Sequence, residues 1–100
     1  MATTFSELIK SDTPTLVDFF ADWCEPCKAM KPILETLKSR MGAKIKIIKV
    51  DVDVSPQAAN NYNIQGIPTL ILFRNGEIKW RQSGVVSAQN LERIIQQHVS

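Results

Sequence analysis

The sequence predicts an α/β fold in three layers, with helices on both faces of a mixed central sheet. Three observations carry that prediction. Apolar runs of strand length alternate with segments of helical period along most of the chain. The run Thr15-Leu16-Val17-Asp18-Phe19-Phe20-Ala21 is apolar on both faces, as in a strand covered from both sides. Finally, Asn75-Gly76 separates two strand-like runs, the strongest short signal for an antiparallel hairpin, because both central residues of a type I′ turn need positive φ.

In chain order, Thr4-Phe5-Ser6-Glu7 has the form of a capping box, so a short helix is expected over about Phe5 to Lys10. Ser11-Asp12-Thr13-Pro14 ends it, and the apolar run above is the first strand. A second helix is expected from near Cys24 to about Arg40, with Met30, Ile33, Leu34 and Leu37 forming one core-facing stripe. Pro32 lies inside it and predicts a kink, because its ring removes the bond to the Lys28 carbonyl. Lys44 to Val52, rich in isoleucine and valine, is expected to be a second interior strand with Ile45, Ile47 and Lys49 on one face. Ser55-Pro56 supplies a cap and first position for a short helix to about Tyr62. Thr69 to Phe73 and Glu77 to Arg81 form the hairpin strands, and Ser87 caps a last helix with Leu91, Ile94, Ile95 and Val99 on its apolar side. Right-handed crossovers make the first two strands parallel neighbours.

The 100 residues, 44% hydrophobic, suit one domain over 1–100. A net charge of +2 with scattered charged residues offers no basic face for nucleic acid or membrane, and Met1 to Lys10 read as neither a signal peptide nor a membrane span. Asp51 and Asp53 share a strand end, but a hard cation wants more oxygen ligands, so solvated charges are the better reading. His98 belongs to no cluster and reads as a solvated side chain.

The two cysteines, Cys24 and Cys27, have three readings. As a staple they close a loop of four residues, worth roughly 2 kcal/mol against about 3 for a loop of fifteen. As a zinc site they supply half the ligands needed, so no metal is expected. As a reversible dithiol they fit their surroundings. At a helix start, backbone N–H groups and the helix dipole favour the thiolate of Cys24, which makes it the nucleophile. Cys27, one turn on and held more deeply, suits the resolving role, with Pro26 fixing φ between them. Trp23 beside the sulfur reads as an apolar platform for a partner chain. Asp18 and Lys49, opposite charges on adjacent strands, have three readings: a buried ion pair retained for structure, one of the two simply reaching solvent, or a proton acceptor near Cys27 tuned by the lysine.

These residues carry a resemblance over essentially the whole chain. Val17-Asp18-Phe19-Phe20-Ala21-Asp22-Trp23-Cys24-Glu25-Pro26-Cys27-Lys28, then Gly66-Ile67-Pro68-Thr69, then Phe73-Arg74-Asn75-Gly76 and Gly84, resemble the thioredoxin family in order and spacing. The resemblance implies a thioredoxin-like α/β/α sandwich with four to five strands and four helices. It implies a protein-disulfide reductase with no bound cofactor beyond its redox-active cysteine pair, recharged from NADPH through a separate flavoprotein, a thioredoxin reductase. It also implies a carboxylate at Asp18 that aids proton transfer at Cys27, Lys49 as its neighbour, and a cis Ile67–Pro68 bond facing the cysteines. Trp23, Gly66, Ile67, Pro68, Gly84 and Val85 would then line the surface for an extended substrate segment. Disulfide-containing proteins are the expected partners, the chain is expected to be a cytoplasmic monomer, and a disulfide oxidase or isomerase and a redox-idle binding module are the alternatives.

Two departures from the family pattern matter. The helix signal begins at Thr4, leaving little room for the family's first strand, so a four-stranded sheet is expected. Glu25 stands where glycine is usual, and its carboxylate opposes a neighbouring thiolate, which would make the pair more reducing.

Overall fold

A computed structural model describes residues 4–98 and contains α1 (Phe5–Ile9), β1 (Thr15–Phe20), α2 (Glu25–Met41), β2 (Lys46–Asp51), α3 (Pro56–Asn61), β3 (Thr69–Arg74), β4 (Glu77–Ser83) and α4 (Ala88–Gln97). A 3₁₀ turn, Gly42–Lys44, joins α2 to β2. Val99 of the last apolar stripe, and any strand before Thr4, lie outside the described residues. Among the described residues no helix is long and apolar enough to cross a membrane.

Local chemistry explains most element ends. Thr4 Oγ1 accepts the Glu7 N–H at 3.2 Å, and Ser87 Oγ accepts that of Asn90 at 3.2 Å, so both helices start on side-chain caps. At the hairpin Asn75 and Gly76 have φ of 55° and 82°, the left-handed pair that a type I′ turn requires. One expected cap is absent. Ser55 precedes α3, but its hydroxyl makes no capping bond. The Asp51 carboxylate instead accepts the N–H groups of Asp53 and Val54, so an Asx-type turn leads into the helix.

The strand order is β2-β1-β3-β4, with β1 and β2 parallel and the other two pairs antiparallel. This corrects the expectation that β2 is interior. β1 takes β2 on one side and β3 on the other, and the hairpin extends the sheet away from β2, so β2 is an edge. Its burial agrees: Lys46 and Lys49 are exposed and only Val50 is buried. β1 and β3, with two neighbours each, are buried along five of their six residues.

Side-chain alternation divides the interior between the two sheet faces. On one face Leu16, Leu70 and Leu72 meet Met30, Leu34 and Leu37 of α2 and Leu91 and Ile95 of α4. On the other, Val17, Phe19, Val50, Ile71 and Phe73 lie under α1 and α3. There Phe5, Phe19, Tyr62 and Phe73 form edge-on and tilted ring contacts with centroids 5.4 to 6.4 Å apart. Asp18 falls between Leu16 and Phe20 on the α2 side of β1, the one ionisable residue among the described residues with no exposed surface.

Burial predicts which truncations matter. Leu37→Ala removes a fully buried side chain and should cost about 2–5 kcal/mol in urea unfolding, whereas Val54→Ala, at a site 77% exposed, should cost less than about 0.5 kcal/mol.

Candidate active site

β1 ends at Phe20 and α2 starts at Glu25, so the intervening turn carries Trp23 and Cys24 to one end of the sheet. The turn is held by the Cys24 N–H donating to the Ala21 carbonyl at 3.2 Å. Cys24 is the N-cap of α2, and its Sγ accepts the Cys27 N–H at 3.2 Å. The sulfur thus occupies the position of a serine or aspartate cap oxygen, where a negative charge is stabilised by the helix terminus. Cys24 and Cys27 are joined by a disulfide with Cα atoms 5.2 Å apart.

Cys27 is not held more deeply than Cys24: the two are 5% and 4% exposed. The loop before β3 covers the first sulfur, with the Ile67 carbonyl oxygen 3.7 Å from Cys24 Sγ. Both cysteines pack with Ala21, Phe20, Val52 and Ile67. Sequence spacing set the helical turn between them but gave no information about that covering loop.

The Ile67–Pro68 bond is cis, and Pro68 is buried. Its carbonyl accepts the Gly84 N–H at 2.8 Å, which draws the segment after β4 alongside. Gly84 has φ of +98°, a conformation suited to glycine, and Val85 beside it is 46% exposed. Thr69 Oγ1 donates to the Gly66 carbonyl and lies 2.9 Å from Ser83 Oγ, a second tie between the two segments. Trp23, the Ile67–Pro68 loop and Gly84–Val85 therefore come from three separate parts of the chain. The loop reaches the Cys24 sulfur, and Gly84 reaches the loop.

Trp23 is 68% exposed, and its indole Nε1 donates to Asp53 Oδ2 at 2.8 Å. This fixes a large apolar surface next to the disulfide. Sequence reading missed Asp53 as a partner of the site, since nothing local links residues thirty positions apart. Glu25 and Pro26 form the exposed first turn of α2. The Glu25 carboxylate turns to Lys28 Nζ at 2.8 Å, a surface pair that partly offsets its charge beside the cysteines.

Asp18 and Lys49 are direct register partners on β1 and β2. They form no ion pair within 4.0 Å; Lys49 is exposed, with its Nζ over the Phe20 ring at 4.6 Å from the centroid. Both Asp18 carboxylate oxygens are buried without a hydrogen-bond partner among the described residues. Desolvation raises its pKa from 3.8 to about 6, against a smaller lowering by the Lys49 charge. A cavity of about 280 Å³ borders Cys27 and Phe20, with Lys28, Lys31 and Lys49 at its walls. Of these, Phe20 and Lys31 carry no sequence signal beyond core and surface patterning.

Comparison with known proteins agrees with this geometry. The thioredoxin family model matches residues 1–97. Thioredoxin 1 of Chlorobaculum tepidum is 42% identical over 94 residues, covering 93% of each chain. Thioredoxin C-2 of Corynebacterium nephridii is also 42% identical over 94 residues, covering 94% of this chain and 87% of that one. Among solved structures, oxidised mitochondrial thioredoxin 3 of Saccharomyces cerevisiae superposes with a TM-score of 0.83 at 33% identity, over 93% of this chain and 86% of that one. With a cysteine pair at disulfide distance on this fold, the chain belongs to the thioredoxin family and is a thiol-disulfide oxidoreductase with protein-disulfide reductase activity.

Proposed function

We propose that Cys24 is the attacking thiolate and Cys27 the resolving thiol of this reductase. The observation that carries the assignment is the Cys27 N–H donated to Cys24 Sγ at the α2 N-cap, which stabilises charge on Cys24 and not on Cys27. In the reduced protein the Cys24 thiolate attacks one sulfur of a substrate disulfide. The substrate's other sulfur leaves as a thiolate and takes up a proton, and a mixed disulfide remains. Cys27 gives up its proton and attacks Cys24 Sγ, which expels the second substrate sulfur and leaves the Cys24–Cys27 disulfide. Two electrons pass from the dithiol to the substrate. An NADPH-dependent flavoprotein, a thioredoxin reductase, returns them, and a reducing compartment, the cytoplasm, suits that cycle.

Asp18 is the acceptor for the Cys27 proton in this reading. Its support is a buried carboxylate, without a hydrogen-bond partner among the described residues, on the strand that leads into the cysteine turn, with a pKa raised by burial to about 6. Lys49 sets the local field from the neighbouring strand. Trp23, Gly66, Ile67, Pro68, Gly84 and Val85 form the docking surface, supported by the exposed indole and by the hydrogen bond that joins the two loops.

Three expectations test these roles. In a coupled assay with NADPH, thioredoxin reductase and a model protein disulfide, Cys24→Ser should abolish turnover, and Cys27→Ser should accumulate mixed disulfides through Cys24. Trapping that requires Cys27 would reverse the roles. For Asp18 the folded protein binds the proton more tightly than the unfolded chain, so its contribution to stability is complete below about pH 4 and is lost as pH rises through about 6. The stability of oxidised Asp18→Asn relative to wild type should therefore rise by about 2 kcal/mol between pH 4 and pH 7, whatever constant cost the amide adds. Glu25→Gly should make the measured reduction potential less negative; an unchanged or more negative value would falsify the tuning role of Glu25.

A further inference from the structure

Beside the redox site the sheet is left open. Among the described residues β2 pairs only with β1, and in a parallel ladder alternate residues turn their backbone groups to opposite sides. The N–H of Lys46 donates to Pro14 and that of Val52 to Phe20, so the even-numbered residues of β2 face β1. The N–H and C=O groups of Ile47 and Lys49 then point outward, toward a position that no strand occupies among the described residues.

Next to this edge is a groove of about 490 Å³ between α2 and β2. Leu34 and Ile47 make its apolar floor, and Lys31, Lys38, Lys46 and Lys49 stand round it with Glu35 as the one acid. None of the four ammonium groups has a carboxylate within 4.0 Å among the described residues; that of Lys38 donates to the Gly42 and Ile45 carbonyls and that of Lys46 to Ser11 Oγ. These five charges sum to +3 in a chain whose net charge is +2, leaving −1 for everything else. The groove adjoins the cavity next to Cys27, with Lys31 and Lys49 lining both.

We propose that the open β2 edge is a docking site for an acidic, extended segment of a partner protein, which adds to the sheet as a fifth strand. The outward groups of Ile47 and Lys49 supply the backbone hydrogen bonds, and strand alternation directs every second side chain of the guest over the lysine-rimmed groove. Glutamate or aspartate at those positions supplies the carboxylate that these ammonium groups lack, while the intervening residues fall on the side of Ile48. Charge selects this occupant over a second copy of the chain. Pairing β2 with β2 would bring two lysine-rich edges together, and like charges repel. Lysines on an open edge guard against self-pairing, and the same charges attract an acidic strand.

The probe is a short, cysteine-free, fluorescein-labelled peptide of alternating glutamate and valine, so its binding is independent of thiol exchange and its failure would leave the reductase reading intact. Fluorescence anisotropy with the full chain should show binding at low ionic strength that is mostly lost at about 0.5 M salt. A lysine–valine peptide should not bind. N-methylation of alternate peptide nitrogens should weaken binding at least about tenfold with no change to the protein. Charge reversal by Lys31→Glu with Lys46→Glu should weaken it about tenfold or more and admit the lysine peptide. In 1H–15N spectra the largest shifts should fall on the amides of Ile47 and Lys49. Equal binding of the acidic and basic peptides, indifference to N-methylation, shifts centred on Trp23 and Val85, or dimerisation of the chain through β2 would each overturn the proposal.

Discussion

The redox site depends on how little chain separates the end of β1 from the start of α2. β1 is held from every side, by β2 and β3 at its edges and by helices over both faces, and five of its six residues are buried. Only residues 21–24 intervene before α2, and a single backbone bond from Cys24 to Ala21 closes that turn. The position of the Cys24 sulfur is therefore inherited from the sheet. The cap geometry then gives that position its chemistry, since the helix terminus favours an anion where an ordinary cap would place a hydroxyl.

The same strand carries a cost. Asp18 is buried without a hydrogen-bond partner in a position where leucine or valine would pack without penalty, and its raised pKa is the measure of that conflict. Lys49 lies opposite it in register but spends its charge at the surface over Phe20, so the pair is not a closed salt bridge. An unpaired buried carboxylate is a poor stabilising device, and Asp18 lies two residues before the end of the strand that leads into the cysteine turn, a local conflict of the kind that concentrates at functional sites.

What the sequence revealed was what depends on neighbours in the chain. The double-sided apolar run of β1, the Asn75-Gly76 turn, the α2 stripe and the cysteine cap are all local patterns, and they appear where the residues place them. Lateral order in the sheet is not local. β2 has the composition of an interior strand, yet it lies at an edge because the hairpin builds outward from the other side of β1. The equal burial of the two cysteines follows from a loop some forty residues away, and the Trp23–Asp53 hydrogen bond likewise crosses thirty residues. Ser55 had the right identity for a cap, but the Asp51 carboxylate took over the turn. The cis bond before Pro68 came from family resemblance, since base rates for X-Pro bonds do not favour it.

The cap at Cys24 has a consequence for the whole fold. Reduction opens the disulfide and frees the Cys24 sulfur at the amino end of α2, a seventeen-residue helix packed against half of the core, where the helix terminus favours negative charge. Whatever steadies that charge steadies the folded dithiol form, and by the thermodynamic cycle joining folding to reduction it also makes the disulfide easier to reduce. The redox potential and the difference in fold stability between the two oxidation states are thus two readings of one free energy. A substitution far from the sulfurs that weakens the first turn of α2 acts on both.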